Sequence, residues 1–414
     1  MQVGQETDQT IWENQQKIPS HQLQLGHYVA RLSAAWSETP FLLQGFVVAD
    51  EVEKLWIQQH CEWVIVDIAK SRHTQSVSAA MQSISPNRPP SPLIKKPITA
   101  QSMKASLTTY LDLNKQARRI IDHFKDLGQD DVRTTVVSVR RMAMSLADNL
   151  PALVWLTRIK HEDAYTAEHC LNVCVLAMGL ARTLGWNDRD VAQVGVAGLL
   201  HDLGKIDVDH RVLNKPGKLT QDEYEVMKQH PAYGYERLRH EPDLNERILN
   251  GIRHHHERPD GKGYPSGQTG SQIDDMAKIV AIVDAYDAIT SNRVYQKARS
   301  HHEAMGILWR HRDTQFDGQM VESFIHFLGW VTPGTLVELS SGDLAVVIQA
   351  AEGQRLYPKV RILMPTNLGF RLGAIWDLST MTAAEGETRI HIANVLPDGH
   401  LGIQLEHFAE QLFD

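Results

Sequence analysis

An adjacent histidine and aspartate stand at the end of an apolar segment in the middle of the 414-residue chain. The segment VAQVGVAGLL is followed directly by His201 and Asp202, and Lys205 lies four residues after the histidine. A carboxylate at the end of an apolar helix is seldom buried unless it is paired or bound to a metal ion. The pair therefore indicates either a simple buried hydrogen bond or part of a metal site, and alone it does not separate the two.

Further histidines in the same region favour the metal site. His169 lies on a helical stripe with apolar residues at positions 173, 176 and 180, so it faces inward. One inward histidine is more often a satisfied core residue than a ligand. However, His230 follows in another helical segment, and His255 and His256 follow in the stretch RHHHERPDGKGYPSG. Several such histidines predict ligands that converge from different helices.

Two aspartates add carboxylates to this set. Asp284 interrupts the apolar run AKIVAIVDAYDAI and shares a helix face with Ala277, Ala281 and Ala288. Small residues on that face would let the helix approach its neighbours closely, which would bring the carboxylate inside. Asp287 lies about one turn later and is open to two interpretations, as a further ligand or as a support that holds a histidine. We favour the support.

Imidazoles combined with one or two carboxylates are typical of a binuclear transition-metal centre. This donor set favours iron, manganese, nickel or zinc over magnesium or calcium. A bridging aspartate can hold two ions close together. Such a pair can acidify a bridging water to hydroxide and clamp the oxygens of a phosphate during an in-line displacement. The predicted chemistry is therefore phosphoester hydrolysis.

The segments that must position these residues are helical almost throughout residues 100–330. Thr220 and Glu223 form a capping-box pattern, which predicts a helix that reaches about Leu238 and contains His230. Gly185 is expected to end the long helix that carries His169.

The flanking regions have a different texture. Runs such as HYVARL, FLLQGFVVA and EWVIVDIA predict a small α+β domain near the N-terminus, and SISPNRPPSPLIKKP predicts a linker. After Pro333, TLVELSSGDLAVVIQA predicts two strands around a Ser-Gly turn, with further strands at KVRILM and IHIANVL. The predicted organisation is a mainly α protein with a small α+β domain (1–82), a linker (83–100), connecting helices (101–149), a helical catalytic domain (150–332) and a β-rich extension (333–414).

Composition narrows the class of protein. A hydrophobic content of 42% and a charged content of 22% describe an ordinary globular chain, and the net charge of −8 gives no reason to expect a nucleic-acid polymer as a partner. The cysteines Cys61, Cys170 and Cys174 are too few for a disulfide framework. Packed, reduced thiols are the favoured interpretation of Cys170 and Cys174, and half of a metal site is the alternative. Because no signal peptide or membrane-spanning run is visible, we expect a cytoplasmic protein without membrane association.

The order and spacing of several blocks resemble the HD-GYP family of cyclic di-GMP phosphodiesterases, a branch of the HD metal-dependent phosphohydrolases. The resemblance covers about residues 150–330. The region of about 20–80 more loosely resembles a small domain of unassigned function that often precedes HD-GYP modules. The matching blocks are HDLGK (201–205), KPGKLT (215–220), KQHPAYG (228–234), HHERPDGKGYP (255–265) and VDAYDAITSNRVY (283–295).

This resemblance implies a multi-helical HD-type domain that holds two divalent ions, with iron or manganese favoured and nickel or zinc as alternatives. Asp202 would bridge the two ions. The first ion would be held by His169, His201, Asp202 and Asp284, and the second by Asp202, His230, His255 and His256. Members of the family with a third ion have a glutamate at the position of Tyr165, so we expect two ions here.

The resemblance also implies the substrate contacts. Lys205 would act beside Asp202 as a catalytic residue that stabilises charge at the scissile phosphate. Arg293 would grip a phosphate, and Lys297 would substitute for a basic residue that the family often has where Gln296 stands here. The pocket would be lined by a loop comprising Asp260, Gly261, Gly263, Tyr264 and Pro265.

The implied reaction is the hydrolysis of cyclic di-GMP to pGpG, with a slower step to GMP. Two alternatives stay open. One is hydrolysis of another nucleotide by the same HD chemistry, and the other is a catalytically weak scaffold that binds cyclic di-GMP. Protein partners would bind through the N-terminal domain or the GYP loop. Within the His-rich stretch, Glu257 is expected to orient a ligand histidine, and His254 is expected to have no ligand role.

Overall fold

A computed structural model describes most of the chain, and the predicted linker lies largely outside the described residues. The described residues form two compact units, residues 1–88 and 89–414, which are presented separately. They are 15–33, 46–48, 51–68, 71, 98–123, 129–157, 165–291, 298–329, 331–349, 356–367, 369–381, 389–396, 399–403, 405–408 and 411–412.

The described residues of the first unit form a four-stranded antiparallel sheet with one α-helix, which agrees with the predicted small α+β domain. Its strands are β1 (Gln15–Pro19), β2 (Tyr28–Leu32), β3 (Phe46–Val47) and β4 (Trp63–Asp67), in the spatial order β1-β4-β2-β3. The interior strand β4 has the sequence WVIVD, and its β-branched residues are buried. Helix α1 (Glu51–His60) contributes Trp56 and Ile57 to the same core. Strand β1 was not predicted, because QQKIP carries little β pattern.

The second unit is mainly helical and ends in a sheet. Among its described residues, no helix is long and apolar enough to cross a membrane. Helix α3 continues past residue 150, where the sequence analysis places a domain boundary. The helices are α2 (Ala100–His123), α3 (Gln129–Leu156), α4 (Tyr165–Thr183), α5 (Asp188–Leu200), α6 (His210–Leu213), α7 (Gln221–Met227), α8 (His230–Leu238), α9 (Glu246–His254), α10 (Asp275–Thr290), α11 (His301–Arg310) and α12 (Gly318–Leu328).

Helices α4 and α5 form a hairpin that underlies the candidate site. Gly185, with a φ of +82°, follows the end of α4 as expected. Asn187 then caps α5 by accepting a hydrogen bond from the N–H of Asp190. A Cβ on Gly198 would lie 3.2 Å from the backbone of Cys174, so the two helices pack closely there. The hairpin brings the start of α4 near the end of α5. Cys170 and Cys174 are buried free thiols, as predicted.

The helix expected from Thr220 to about Leu238 is two helices. The predicted capping box is present, and α7 begins after Thr220. However, α7 ends at Met227, and α8 begins at His230 with Pro231 in its first turn. Proline has no N–H to continue a preceding helix, and its ring clashes with the carbonyl four residues earlier. His230 is therefore the first residue of a helix and not an interior one.

The C-terminal part is a five-stranded antiparallel sheet in the order β8-β7-β6-β5-β9. The predicted Ser-Gly turn joins β5 and β6 at Gly342, whose φ is +86°. Strand β8 was missed, because at the sheet edge it is partly exposed and its sequence GFRLGAIWD lacks regular alternation. The strands are β5 (Leu336–Leu339), β6 (Leu344–Gln349), β7 (Lys359–Thr366), β8 (Gly369–Asp377) and β9 (Ile392–Val395).

Candidate metal centre

The seven side chains predicted to bind metal converge in the helical unit, and they come from five places in the fold. Five of them are buried, His256 is partly buried, and the side chain of Asp284 is 14% exposed. Their positions are the second turn of α4 (His169), the first residue of α8 (His230), the residues directly after α5 (His201 and Asp202) and directly after α9 (His255 and His256), and the middle of α10 (Asp284).

The two carboxylate oxygens of Asp202 face different histidines. Its Oδ2 lies 3.7 Å from Nε2 of His169 and 3.4 Å from Nε2 of His201. Its Oδ1 lies 3.3 Å from Nε2 of His230. Donor atoms about 2.0 to 2.2 Å from a shared ion lie roughly 3 to 3.6 Å from each other. These separations therefore suit a carboxylate that contributes one oxygen to each of two ions.

Asp284 completes the cluster from the other side. Its Oδ1 lies 3.2 Å from Nε2 of His169 and 3.8 Å from Nε2 of His201. The donors form three groups, and within each group the ligand atoms lie within 4.8 Å of one another. His201 and His255 each belong to two of these groups. The groups are His169 with His201 and Asp202, His201 with His255 and Asp284, and His230 with His255 and His256.

Backbone carbonyls orient three of the histidines. In each case Nδ1 lies within hydrogen-bond distance of the carbonyl three residues earlier, so this nitrogen carries the proton. The lone pair is then on Nε2, which points into the cluster. The three contacts are His201 to Gly198 at 2.8 Å, His230 to Met227 at 2.8 Å and His255 to Ile252 at 2.7 Å.

His169 is oriented by a side chain and not by the backbone. Its Nδ1 lies 2.7 Å from Oδ2 of Asp287, which is buried. Asp287 also accepts a hydrogen bond from Nδ2 of Asn172 at 3.1 Å and one from the hydroxyl of Ser291 at 3.2 Å. The prediction that Asp287 holds a histidine is therefore confirmed. Asn172 was not predicted, although a polar residue within the otherwise apolar α4 could have been noticed.

The orientation of the nitrogen atoms tests whether a cation fits. Nε2 of His201 is buried and makes no hydrogen bond within the described part of the chain. Nε2 of His230 and Nε2 of His255 lie 3.3 Å apart, although their lone pairs face each other. Unpaired buried acceptors are unfavourable unless a positive species lies between them. The donor set therefore fits divalent transition-metal ions.

Both cluster aspartates are held in the ionised form. Burial alone would raise the pKa of Asp202, but the neighbouring His201 and the ammonium of Lys205 hold it well below its usual range. Burial likewise opposes ionisation of Asp284, and its hydrogen bond with His169 and the nearby histidine charges lower its pKa well below the usual value. Two negative charges are thus available for cation binding.

The histidines differ in their tendency to hold a proton. Burial acts to lower the pKa of His169, but hydrogen bonds to Asp284 and Asp287 raise it to about 9. Burial, followed by the proximity of His230, lowers the pKa of His256 to about 3. Burial and the neighbouring histidines also hold the pKa of His255 well below its usual value. His255 and His256 are therefore neutral donors at neutral pH, whereas His169 without a metal ion is protonated.

Glycines allow the backbone to approach at two points of the site. A Cβ on Gly204 would lie 2.0 Å from the carbonyl oxygen of His230 and 2.4 Å from the nitrogen of Gly234. A Cβ on Gly263 would lie 2.4 Å from the nitrogen of Arg258. The first contact packs the backbone of His230 against the turn that follows Asp202. The second contact packs the GYP loop (residues 257–269) against the residues that follow α9.

The GYP loop is organised by two carboxylates. Arg258 donates two hydrogen bonds to Asp260, at 3.0 and 2.7 Å. Glu257 is buried and accepts hydrogen bonds from the N–H groups of Ser266 at 2.6 Å and Gln268 at 2.9 Å. The expectation that Glu257 orients a histidine is therefore wrong, because its two oxygens hold the loop backbone. His254, as expected, belongs to none of the three donor groups.

Two side chains bring positive charge and an aromatic face to the cluster. Lys205, with a side chain 32% exposed, places Nζ 2.5 Å from Oδ2 of Asp202. The ring of Tyr264 packs against His256 at a centroid distance of 4.7 Å. Lys228, which the sequence did not single out, lies 6.0 Å from the Tyr264 ring centroid. Lys205 thus borders the donor cluster at Asp202, and Tyr264 borders it at His256.

Some predicted positions lie outside the described residues. These are Arg293, Gln296 and Lys297, together with the side chain of Tyr165. Their roles stay predictions.

Comparison with known proteins gives matches over both units. The family model described as "HD domain" matches residues 140–320, and the model described as "Domain of unknown function (DUF3391)" matches residues 15–136. A protein of Pseudomonas aeruginosa named cyclic di-GMP phosphodiesterase PA4108 is 32% identical over 357 residues, which cover 84% of each chain.

Two further relatives match this chain over shorter spans. The cyclic di-GMP phosphodiesterase response regulator RpfG of Xanthomonas campestris is 33% identical over 56% of this chain and 60% of its own length. The 3'3'-cGAMP-specific phosphodiesterase 3 of Vibrio cholerae is 35% identical over 38% of this chain and 34% of its own length. These relatives are thus named for more than one cyclic dinucleotide.

Proposed function

The chain belongs to the HD-GYP family of HD-domain proteins, and on this premise we propose that it is a metal-dependent phosphodiesterase that hydrolyses cyclic di-GMP. One observation carries the proposal. The two oxygens of Asp202 face separate histidine groups, which is the arrangement that a binuclear phosphohydrolase requires. The similarity to the relative from Pseudomonas aeruginosa, which extends over 84% of each chain, supports the choice of substrate.

The proposed centre holds two divalent ions, with iron or manganese favoured by the mixture of imidazole and carboxylate donors. His169, His201 and Asp284 would hold one ion, His230, His255 and His256 would hold the other, and Asp202 would contribute to both. Bound there, the ions would supply Lewis acidity that activates water and withdraws charge from phosphate oxygens. Asp287 would keep Nε2 of His169 available by binding the proton on Nδ1.

Lys205 is the proposed charge-stabilising residue. Its ammonium is tied to Asp202 yet remains partly exposed, so it can reach a phosphate placed over the centre. There it would stabilise the negative charge that develops on the phosphate or on the leaving oxygen. Because Asp202 also fixes the position of the ammonium, one carboxylate orients both the cation site and this side chain.

The GYP loop is the proposed wall of the substrate pocket. Gly261 and Gly263 let its backbone approach closely, and Tyr264 lies beside His256 and is followed by Pro265. Asp260 shapes the loop through Arg258, and its contact with substrate stays a prediction, as do the contacts of Arg293 and Lys297. The cytoplasmic location and protein partners that bind through the N-terminal domain or this loop also stay predictions.

The experiment that tests this function measures metal content and products on one sample. The purified full-length protein would be loaded with Mn²⁺, and its metal content would be measured by mass spectrometry. It would then be incubated with cyclic di-GMP, and the products would be separated by chromatography. We expect about two ions per chain and the formation of pGpG, followed by slower formation of GMP.

Two comparisons make the result decisive. His201→Ala should lose both an ion and the activity. A parallel incubation with 3'3'-cGAMP measures substrate preference, and faster cleavage of that nucleotide would move the assignment to it. Tight binding of cyclic di-GMP without cleavage, under every metal tried, would favour the scaffold instead. Equal activity of wild type and His201→Ala would refute the proposed centre.

A further inference from the structure

A buried line of hydrogen bonds joins α2 to the candidate metal centre. The hydroxyl of Tyr110 donates to Oδ1 of Asn172 at 2.8 Å. Nδ2 of Asn172 donates to Oδ1 of Asp287 at 3.1 Å, and Oδ2 of Asp287 lies 2.7 Å from Nδ1 of His169. All four side chains are less than 10% exposed. We call these four residues the Tyr110 relay.

From this geometry we infer that Tyr110 is a positioning residue for the metal centre and that it acts through Asn172 and Asp287 on His169. The inference rests on the proposed metal centre. It assigns a role to α2, which lies within residues 15–136, the part of the chain that matches a domain of unknown function. A segment outside the HD-domain match thus contributes to the centre.

The direction of each hydrogen bond is fixed by chemistry. Asp287 accepts the N–H of Asn172 on a carboxylate oxygen, which leaves the amide oxygen of Asn172 facing Tyr110. That oxygen is buried and needs a donor, which the phenol supplies. Burial, followed by the negative charges of Glu168 and Asp287, raises the pKa of Tyr110 well above its usual value, so the phenol keeps its proton.

Loss of the Tyr110 hydroxyl would reach His169 through two contacts. The amide oxygen of Asn172 would lose its donor within the relay, so the side chain would shift or rotate to find another. Asp287 would then lose the N–H that fixes its Oδ1, and its grip on the Nδ1 proton of His169 would weaken. His169 would present Nε2 to a cation in a less fixed orientation.

The test is the Mn²⁺ affinity of Tyr110→Phe, which keeps the buried ring and removes only the hydroxyl. Free Mn²⁺ would be quantified by electron paramagnetic resonance during titration of the metal-free, full-length protein. A direct partner of a ligand histidine typically changes affinity by about 10- to 100-fold. Tyr110 lies two contacts further from His169 than such a direct partner. We therefore expect the Mn²⁺ affinity of the ion site that includes His169 to fall by roughly three- to tenfold, which is a fraction of that range.

Ser106→Ala is the matched control. Ser106 is on the same helix, one turn before Tyr110, and its buried hydroxyl has no hydrogen-bond partner among the described residues. The Ser106→Ala substitution removes a buried hydroxyl from α2 and leaves the Tyr110 relay intact. The Mn²⁺ affinity of this variant should therefore stay within about twofold of wild type, well below the change expected when a partner of a ligand histidine is removed. Thermal unfolding of the metal-free variants would report any general loss of stability.

A double variant tests the proposed route. If Tyr110 acts through Asp287, then Tyr110→Phe should add little to the affinity loss of Asp287→Asn. Full additivity, an unchanged affinity in Tyr110→Phe, or an equal loss in Ser106→Ala would each overturn the inference. If Tyr110→Phe does not fold, Tyr110→Leu, which also lacks the hydroxyl, takes its place. Wild type that binds Mn²⁺ but leaves cyclic di-GMP intact would refute the proposed function while the relay could still be tested.

Discussion

Replacement of Asp287 by asparagine should separate the two proposed ion sites. The carboxylate accepts from His169 and Ser291 on Oδ2 and from Asn172 on Oδ1. An asparagine offers only one acceptor oxygen. If that oxygen faces His169, its amide N–H groups oppose the N–H of Asn172. If it faces Asn172, its N–H groups oppose Nδ1 of His169 and drive the imidazole proton onto Nε2, where it blocks metal binding.

The expected magnitude follows from the hydrogen bond that is lost. A buried hydrogen bond to a charged group contributes about 1.5–3 kcal/mol, and about 1.4 kcal/mol corresponds to a tenfold change in affinity. We therefore expect the ion served by His169 to bind roughly 10- to 100-fold more weakly, which agrees with the usual effect of removing such a partner. The site of His230, His255 and His256 has no contact with Asp287 among the described contacts and should keep its affinity.

The assay is metal retention after gel filtration, combined with calorimetric titration of Mn²⁺. Wild type should retain about two ions, and Asp287→Asn should retain one, with biphasic binding. Ser291→Ala is the control, because the hydroxyl of Ser291 bonds mainly to the backbone carbonyl of Asp287, at 2.6 Å. It leaves the contacts with His169 and Asn172 in place. Retention of both ions by Asp287→Asn with wild-type affinity would refute the reasoning, and so would equal weakening of both sites.

Three further predictions concern protonation, packing and the loop. Because the pKa of metal-free His169 is about 9, its imidazole carries an extra proton at pH 7.5 that metal binding must displace. Calorimetry in buffers of different ionisation enthalpy should show the release of this proton. The number of protons released should fall as the pH rises through 9. Release that does not change between pH 7.5 and 10 would contradict the assignment. Gly204→Ala places a Cβ against the carbonyl of His230, so it should lower the free energy of unfolding by about 1–3 kcal/mol and also weaken metal binding. Gly306→Ala is the control, because a Cβ there would meet only Arg310, at 3.9 Å. The control should unfold at or slightly above the wild-type temperature. Equal unfolding temperatures would refute the packing argument. Glu257→Gln replaces one of the two carboxylate oxygens that accept hydrogen bonds from the loop backbone. It should raise KM more than it lowers kcat and leave the metal content unchanged. Loss of a metal ion in this variant would instead indicate that Glu257 orients a ligand histidine.

The helix ends at Thr220 and Gly185 could be predicted from the sequence, because capping depends on residues only a few positions apart. Thr220 and Glu223 form their capping box, and Gly185 follows the end of α4. The residue types also limited the chemistry, since several inward histidines with aspartates suit few functions other than metal binding. Where a local rule was applied too far, as in the single helix expected from Thr220 to Leu238, Pro231 had already marked the break.

Contacts between distant segments were decided only by the tertiary structure. Tyr110 and Asn172 are 62 residues apart, and His169 and Asp287 are 118 residues apart, so no local pattern reports either contact. The same holds for the two oxygens of Asp202, whose directions depend on how α4 and α8 pack around the end of α5. The sequence determined which side chains could hold a cation, because ligand chemistry belongs to the residue type. Packing determined which nitrogen His169 presents, because the carboxylate of Asp287 that binds the proton on its other nitrogen lies on a different helix.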